Sequence, residues 1–344
     1  MWKKILKSVI VGFFAVGIGH VAAQDGTVTT NNPHRSNQLR TLIIDPGHGI
    51  PDMGNVGFDG SYESDIALAI AQKLVKKIND SLPGINVLLT RTDRNLPAHL
   101  TDKDAANRWR ANFANQNHGD LFLSIHVNDD GRNGKEWHTQ IVDYETKVYY
   151  TGKGKRKKRH TKKVPVYRRY SVPTGVVGTE SYIWSVSKND SKTSYVKDND
   201  FGEFSEVDST SVDSTEKTNA SPEAQIAASI RMRKYFERSL MLGTMIQNNF
   251  AAQGRVDRGV RQRSTGIWVL QATAMPSVLV ETGFNCNEGE EEYLLSESGQ
   301  SDVASAIFRA IVQYQNMLIQ RSQGGGQVMD NAHTMTGRAD TPGQ

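Results

Sequence analysis

The chain predicts an α/β fold, a parallel sheet with helices on its faces. Two observations support this class. Short apolar runs alternate with stretches of helical periodicity over residues 41–125, and the same alternation returns after residue 222. The length, 344 residues, suffices for one large domain or two small ones, and the pattern reads as a single domain over residues 40–321.

Thr41-Leu42-Ile43-Ile44-Asp45 has the composition of a buried strand. Residues 46–62 are rich in Gly, carry two prolines and predict a loop. From Glu63 to Asn79, the residues Ile66, Ala67, Ile70, Leu74 and Ile78 fall on one helical face. Pro83-Gly84 ends that unit; Ile85–Thr90 is the next strand, Asp102–Gln116 a second helix and Leu121–Ile125 a third strand. Later, Pro222–Phe250 predicts a long helix, and Ile267–Leu270 and Ser277–Val280 two short strands. Val303–Ile319 predicts a closing helix with Val303, Ile307, Ile311, Tyr314 and Leu318 on one side. Residues 322–344, polar and Gly-rich, predict a disordered tail.

Two segments interrupt the alternation, at about 131–173 and 187–220. Residues 138–172 alternate apolar and polar around Gly152-Lys153-Gly154-Lys155-Arg156-Lys157-Lys158-Arg159, which predicts a β-hairpin with a basic tip. Residues 187–220 are rich in Ser, Thr, Asp and Asn, with acidic residues at 198, 200, 203, 206, 208, 213 and 216, and predict an acidic mobile loop.

The amino terminus reads as a secretory signal over residues 1–23. Lys3, Lys4 and Lys7 precede an apolar stretch, Val9–Gly19, too short to span a bilayer comfortably, and Val21-Ala22-Ala23 is a small-residue cleavage site. The expectation is an exported protein, periplasmic or cell-wall-associated, starting at Gln24; an uncleaved anchor is the alternative. Residues 24–39 read as a linker. The one cysteine, Cys286, excludes an intrachain disulfide, and a loop position suits it better than a nucleophilic role. Without the three signal lysines the chain has 38 basic against 37 acidic side chains, but ten of the basic ones lie within residues 153–169, where no Asp or Glu occurs. That segment is suited to anionic polymers, phospholipid headgroups or the acidic insertion itself, a solvated loop being the plain alternative. Nucleic acid is not an expected partner.

The chemistry gathers at one predicted edge. In a parallel sheet the carboxyl ends of the strands face a common crevice. His48 and His126 follow the first and third strands, Glu281 completes Ser277-Val278-Leu279-Val280, and Glu63 opens the helix after the first strand. Catalytic zinc takes three protein ligands from His and carboxylate side chains and keeps a fourth position open. Zinc lowers the pKa of a bound water from about 16 to roughly 7, and a further carboxylate then moves the proton. Singly, each residue has a plainer reading, a loop histidine or a glutamate at a helix N-terminus. A glutamate ending a buried strand is rarer, because its charge must be paired or used.

These residues carry a resemblance. Ile43-Ile44-Asp45-Pro46-Gly47-His48-Gly49, Glu63 heading a helix, Ser124-Ile125-His126-Val127-Asn128 and Pro276-Ser277-Val278-Leu279-Val280-Glu281-Thr282-Gly283-Phe284 occur in that order. The chain resembles the family-3 N-acetylmuramoyl-L-alanine amidases, zinc enzymes of bacterial cell walls. Leu89-Thr90-Arg91, Asp257-Arg258-Gly259-Val260 and Trp268-Val269-Leu270 are lesser matches. The resemblance implies a twisted, mostly parallel six-stranded sheet between helices. It implies His48, Glu63 and His126 as ligands of Zn2+ and Glu281 as the catalytic acid–base, with Asn128 a candidate supporting group. The reaction implied is hydrolysis of the amide joining N-acetylmuramic acid to L-alanine of peptidoglycan, in wall turnover or daughter-cell separation. An activator protein in the envelope is a candidate partner.

The chain departs from the family pattern after His126. Gly178-Thr179-Glu180-Ser181-Tyr182 fits the next family strand, but about fifty residues, the basic hairpin among them, intervene. The 187–220 insertion falls where some members carry a segment covering the zinc; a simple mobile loop is the alternative. A catalytically silent binding module and another zinc amide hydrolase, such as a peptidase, stand beside the amidase reading.

Overall fold

A computed structural model of the protein describes residues 38–131, 134–198 and 222–334. The expected signal sequence, most of the linker, the acidic stretch 199–221 and residues 335–344 lie outside the described residues.

Strands β1 (Thr41–Pro46), β2 (Asn86–Leu89), β3 (Leu121–Asn128), β6 (Thr179–Trp184), β7 (Asp257–Arg263) and β8 (Ser277–Phe284) form a six-stranded sheet in the order β2-β1-β3-β8-β6-β7. Strands β4 (Lys135–Thr151) and β5 (Lys158–Pro173) form a separate antiparallel pair. In the main sheet only the β6–β8 pairing is antiparallel. β2 and β3 flank β1 on opposite sides, so the sheet reverses its winding at β1, and a crevice opens between the carboxyl ends of β1 and β3.

Successive strand residues point to opposite faces, and the burial follows that period. Leu42, Ile44, Leu121, Leu123, Val278 and Val280 pack with α1 (Glu63–Ser81), α7 (Glu297–Thr334) and the latter part of α4 (Pro222–Ala251). Ile43, Phe122 and Leu279 pack on the other face, with Ala114 of α2 (Lys103–Gln116), Leu270 of α5 (Trp268–Ala272), Trp184 and Tyr235. The α1 residues expected on one face, Ile66, Ala67, Ile70, Leu74 and Ile78, are all buried. Asp102 caps α2, its side chain accepting from Ala105 N. Asn287 caps α6 (Glu288–Leu295) in the same way, through Glu290 N.

Four expectations need correction. Ile267–Leu270 is not a strand: Leu270 N donates to Ile267 O and Thr273 N to Val269 O, closing the short helix α5. A four-residue apolar run satisfies its backbone either way, and periodicity cannot separate the two. The sixth strand is instead β7, an edge strand whose Arg258, Arg261 and Arg263 hide it from an apolar-run reading and suit an exposed sheet edge. The start of the 187–220 insertion is helical, with α3 spanning Asn189–Asp198. Lys192, fully buried, holds α3 down: the three N–H groups of its ammonium are shared among Leu270 O (2.7 Å), Met275 O (3.0 Å), Thr273 Oγ1 (3.1 Å) and Ser277 Oγ (3.2 Å), and the ammonium lies over the Trp184 ring. Finally, α7 runs to Thr334, through the first part of the expected tail, because extending an existing helix adds a hydrogen bond per residue without a new nucleus. At the linker's end, Leu39 is buried in the core, so the folded domain includes it.

Candidate metal centre

The loop after β1 turns sharply. His48 adopts φ 61°, a left-handed conformation that costs a non-glycine residue energy unless its surroundings hold it. Two buried arginines supply the hold. Arg110, from α2, donates to Pro46 O (2.9 Å) and His48 O (2.6 Å). Arg91, just past β2, donates to Pro46 O (3.0 Å), Gly47 O (2.8 Å) and Ser64 O (2.7 Å). Asp45 neutralises the Arg110 guanidinium, and also accepts from Thr90 Oγ1 (2.5 Å) and Ser124 Oγ (2.7 Å). Burial would raise the Asp45 pKa, but Arg110 and the two hydroxyls hold it below the ordinary carboxylate value.

Above this base, His48, Glu63 and His126 converge. Glu63 Oε1 lies 3.2 Å from His48 Nε2 and 2.8 Å from His126 Nδ1, and the two rings meet edge to face at 5.0 Å. Their ligand atoms all lie within 4.8 Å of one another. Glu63 is buried at the head of α1, where Asn55 N (2.9 Å) donates to its Oε2 and Val127 N (3.1 Å) to its Oε1. Burial opposes its charge, but both histidines favour it and hold its pKa well below the usual range. Asp52 Oδ2 takes the other side of His48, 2.9 Å from Nδ1, and leaves Nε2 facing Glu63. Against the cost of burial, Asp52 and Glu63 push the His48 pKa up to about 9. His126 is lowered by burial despite Glu63.

The cradle is closely fitted. A Cβ on Gly47 would lie 2.3 Å from the His126 ring, and one on Gly54 2.5 Å from the Glu63 carboxylate. Two imidazole nitrogens and one carboxylate oxygen, each oriented from behind, suit a zinc ion in donor type and number.

Glu281 stands beside this group as the register partner of His126 across β3 and β8. It is buried, and its Oε2 has no hydrogen-bond partner among the described residues. Burial, then repulsion from Glu63, push its pKa up to about 8, while Arg263, with Nη1 3.9 Å from Oε1, works the other way. On the far side Glu281 pairs in register with Glu180 of β6. Glu180 is also buried, and it accepts from Arg258, Tyr182 and Asn128. Burial would raise its pKa, but Arg258, Tyr182 and Arg261 bring it down. Asn128 therefore supports Glu180.

His48, Glu63, His126 and Glu281 all line one cavity of about 550 Å³. Ile267, Trp268 and Arg263 form another part of its wall. All four residues expected from the sequence are thus brought together. Asp52, Asn55 and Arg110 have no signal in the sequence, and Arg91 shows there only as the end of the Leu89-Thr90-Arg91 match, without its role. Asp52 sits four residues after His48 in a loop with no periodicity, and the two arginines act on backbone carbonyls that are distant in sequence.

Comparison with known proteins agrees with the geometry. The chain is 24% identical over 319 residues to N-acetylmuramoyl-L-alanine amidase AmiA of Salmonella typhimurium, covering 91% of each. It is 38% identical over 95 residues, 28% of this chain and 34% of the relative, to the sporulation-specific N-acetylmuramoyl-L-alanine amidase of Bacillus subtilis. Among solved structures, an N-acetylmuramoyl-L-alanine amidase from Clostridium difficile 630 superposes with a TM-score of 0.49 at 20% identity, covering 81% of this chain and 98% of that one. The family model described as N-acetylmuramoyl-L-alanine amidase, Amidase_3, matches residues 42–313. Those residues hold the main sheet except Thr41 and every side chain of the His48–Glu63–His126 group and Glu281, and the chain belongs to the N-acetylmuramoyl-L-alanine amidase family.

Proposed function

We propose that this protein is a zinc-dependent hydrolase that cleaves the amide between the lactyl group of N-acetylmuramic acid and L-alanine in peptidoglycan. The observation that carries the reading is the convergence of His48 Nε2 and His126 Nδ1 on Glu63 Oε1, with the buried Glu281 on the adjoining strand. His48, Glu63 and His126 would hold zinc. When bound, zinc supplies a Lewis-acid charge that polarises the scissile carbonyl and acidifies water. Asp52 orients His48, and the backbone N–H groups of Asn55 and Val127 fix the Glu63 carboxylate. Glu281 takes a proton from the attacking water and passes it to the departing alanine nitrogen, so a lactyl carboxyl and a free amine result. Its raised pKa suits the second half of that task, and the positive charge of Arg263 favours the carboxylate needed for the first.

The test is release of stem peptide from purified peptidoglycan by the zinc-loaded protein. Glu281→Ala lowers the rate by roughly 10²–10⁴-fold. Retention of full activity by that variant removes Glu281 from its role.

The chain is further proposed to be exported. Its first residues carry the features of a signal sequence, and among the described residues no helix is long and apolar enough to cross a membrane. Amino-terminal sequencing of the mature protein is expected to begin at Gln24.

A further inference from the structure

The β4–β5 ribbon takes no part in the main sheet and none in the reaction. It pairs from Lys135↔Pro173 to Thr151↔Lys158, and its 17-residue strand gives a reach of about 55 Å. Its side chains are exposed along almost the whole length, including Trp137, Tyr144, Tyr149, Tyr150 and Tyr167. A two-stranded ribbon has little stability of its own in water, so a solvated arm this long is an unusual feature to maintain.

Composition indicates what the arm meets. Residues 135–173 hold twelve Lys or Arg against three Asp or Glu, and residues 151–163 hold eight and none. Aromatic rings interleave with these cations. Arg169 lies over Trp137 at 4.6 Å and Lys157 over Tyr150 at 4.7 Å, while His160 stacks on Tyr149 and His138 on Tyr170. Tyr149 and Tyr150, adjacent in β4, project to opposite faces, so both faces carry a ring. The tip, Thr151-Gly152-Lys153-Gly154-Lys155-Arg156-Lys157-Lys158-Arg159, has no aromatic or aliphatic residue. Val142, Tyr144, Val148 and Tyr150 alternate along β4 and share a face, but a membrane-seeking element also carries apolar side chains at its point of entry, and the cationic tip of this arm has none.

The root is fixed beside the cleft. Asp129 and Gly131, just before the ribbon, line the catalytic cavity. Thr174 N donates to Gly134 O (2.8 Å), and Asn287 Nδ2 donates to Thr174 O (2.9 Å). Gly134 lies so close to Cys286 that an added Cβ would come within 2.4 Å of its carbonyl oxygen. The arm therefore leaves the molecule from the rim of the cleft that takes the polymer.

We propose that the β4–β5 arm is a second binding surface for peptidoglycan, lying along the polymer outside the catalytic cleft. Its lysines and arginines face the stem-peptide carboxylates, and its exposed rings stack on sugars. The proposal rests on the amidase reading above and adds a means of holding an insoluble substrate.

The test uses full-length protein carrying Glu281→Gln, so that the polymer stays intact, and measures co-sedimentation with purified sacculi across a salt series. Binding is expected, weakening as salt rises, and to fall roughly tenfold or more when Lys153, Lys155, Arg156, Lys157, Lys158 and Arg159 are changed to Gln. These positions are exposed, so folding is expected to be unaffected, as a thermal melt will check. With Glu281 intact, the same six changes lower hydrolysis of sacculi by a similar factor and leave kcat/KM on a small soluble muropeptide unchanged. Salt-insensitive sacculus binding, or binding unaltered by the six changes, overturns the proposal. So does binding to vesicles of phosphatidylcholine and phosphatidylglycerol in equal parts without binding to sacculi. Failure of the intact protein to cleave the soluble muropeptide overturns the amidase reading instead, and the sedimentation result still decides the role of the arm.

Discussion

A histidine offers a metal one nitrogen, and the partner of its other nitrogen decides which. Asp52 plays that part for His48, at 2.9 Å from Nδ1. Asp52→Ala is expected to lower zinc affinity by about 10–100-fold, measured by competition with a chromophoric chelator, with the fold retained. An unchanged affinity shows that Pro46, Gly47 and the arginine clamp orient His48 without it. Residues of this kind were hidden in the sequence. His48, Glu63, His126 and Glu281 were legible because each follows a short apolar run or opens a patterned helix, although β3 and β8 run on past His126 and Glu281 to Asn128 and Phe284. Asp52 and Arg110 were not, and Arg91 showed only as the end of a lesser match, since what these residues hold, a loop histidine and the carbonyls of residues 46–48, has no periodic signature.

Among the elements, α3 and α5 depend on each other. Lys192 of α3 binds Leu270 O of α5 and the segment after it, and Trp268 and Leu270 of α5 line the catalytic cavity. Burial lowers the Lys192 pKa well below its ordinary value, while four oxygen acceptors and the Trp184 ring surround the ammonium. Lys192→Met keeps the aliphatic stem but leaves acceptors such as Met275 O without this donor, at a cost of roughly 1–3 kcal/mol for each one unsatisfied. The expected result is a lower urea midpoint and faster amide exchange in Asn189–Asp198. Exchange unchanged in that helix means that the lysine does not hold it. Periodicity gave no hint of this anchor, because a lysine in a polar, Ser-rich stretch reads as solvated. Its burial follows from β8 and α5 presenting several oxygens at one point.

For the molecule as a whole, the proton on Glu281 links the site to stability. Its folded pKa, about 8, lies above the ordinary 4.5, so the folded state keeps a proton that the unfolded chain releases. In protein stripped of metal by a chelator, this contribution is fully present below pH 4.5 and is lost as pH rises through 8. Glu281→Gln removes the linkage. The stability of the variant relative to the unmodified protein is therefore expected to grow across that interval, by on the order of 5 kcal/mol, and to level off above it. Denaturant titrations at a series of pH values will check this, and a pH-independent difference means that Glu281 is ionised normally in the metal-free fold.

The sequence by itself determined the α/β class, the apolar runs that lead to His48, His126 and Glu281, and the place of Glu63 at the head of α1. Burying one face or two leaves a local period in the chain, and functional residues at the ends of such periods stand out. Only the tertiary structure decided which strands are neighbours. It set β6 antiparallel beside β8, so that Glu180 faces Glu281, and made the arginine-bearing β7 the edge strand in place of the apolar run that became α5. Strand pairing is a contact between distant segments, and its hydrogen bonds are made by backbone that every residue shares. Local pattern says that a strand has a partner; the packing of the whole chain selects which one.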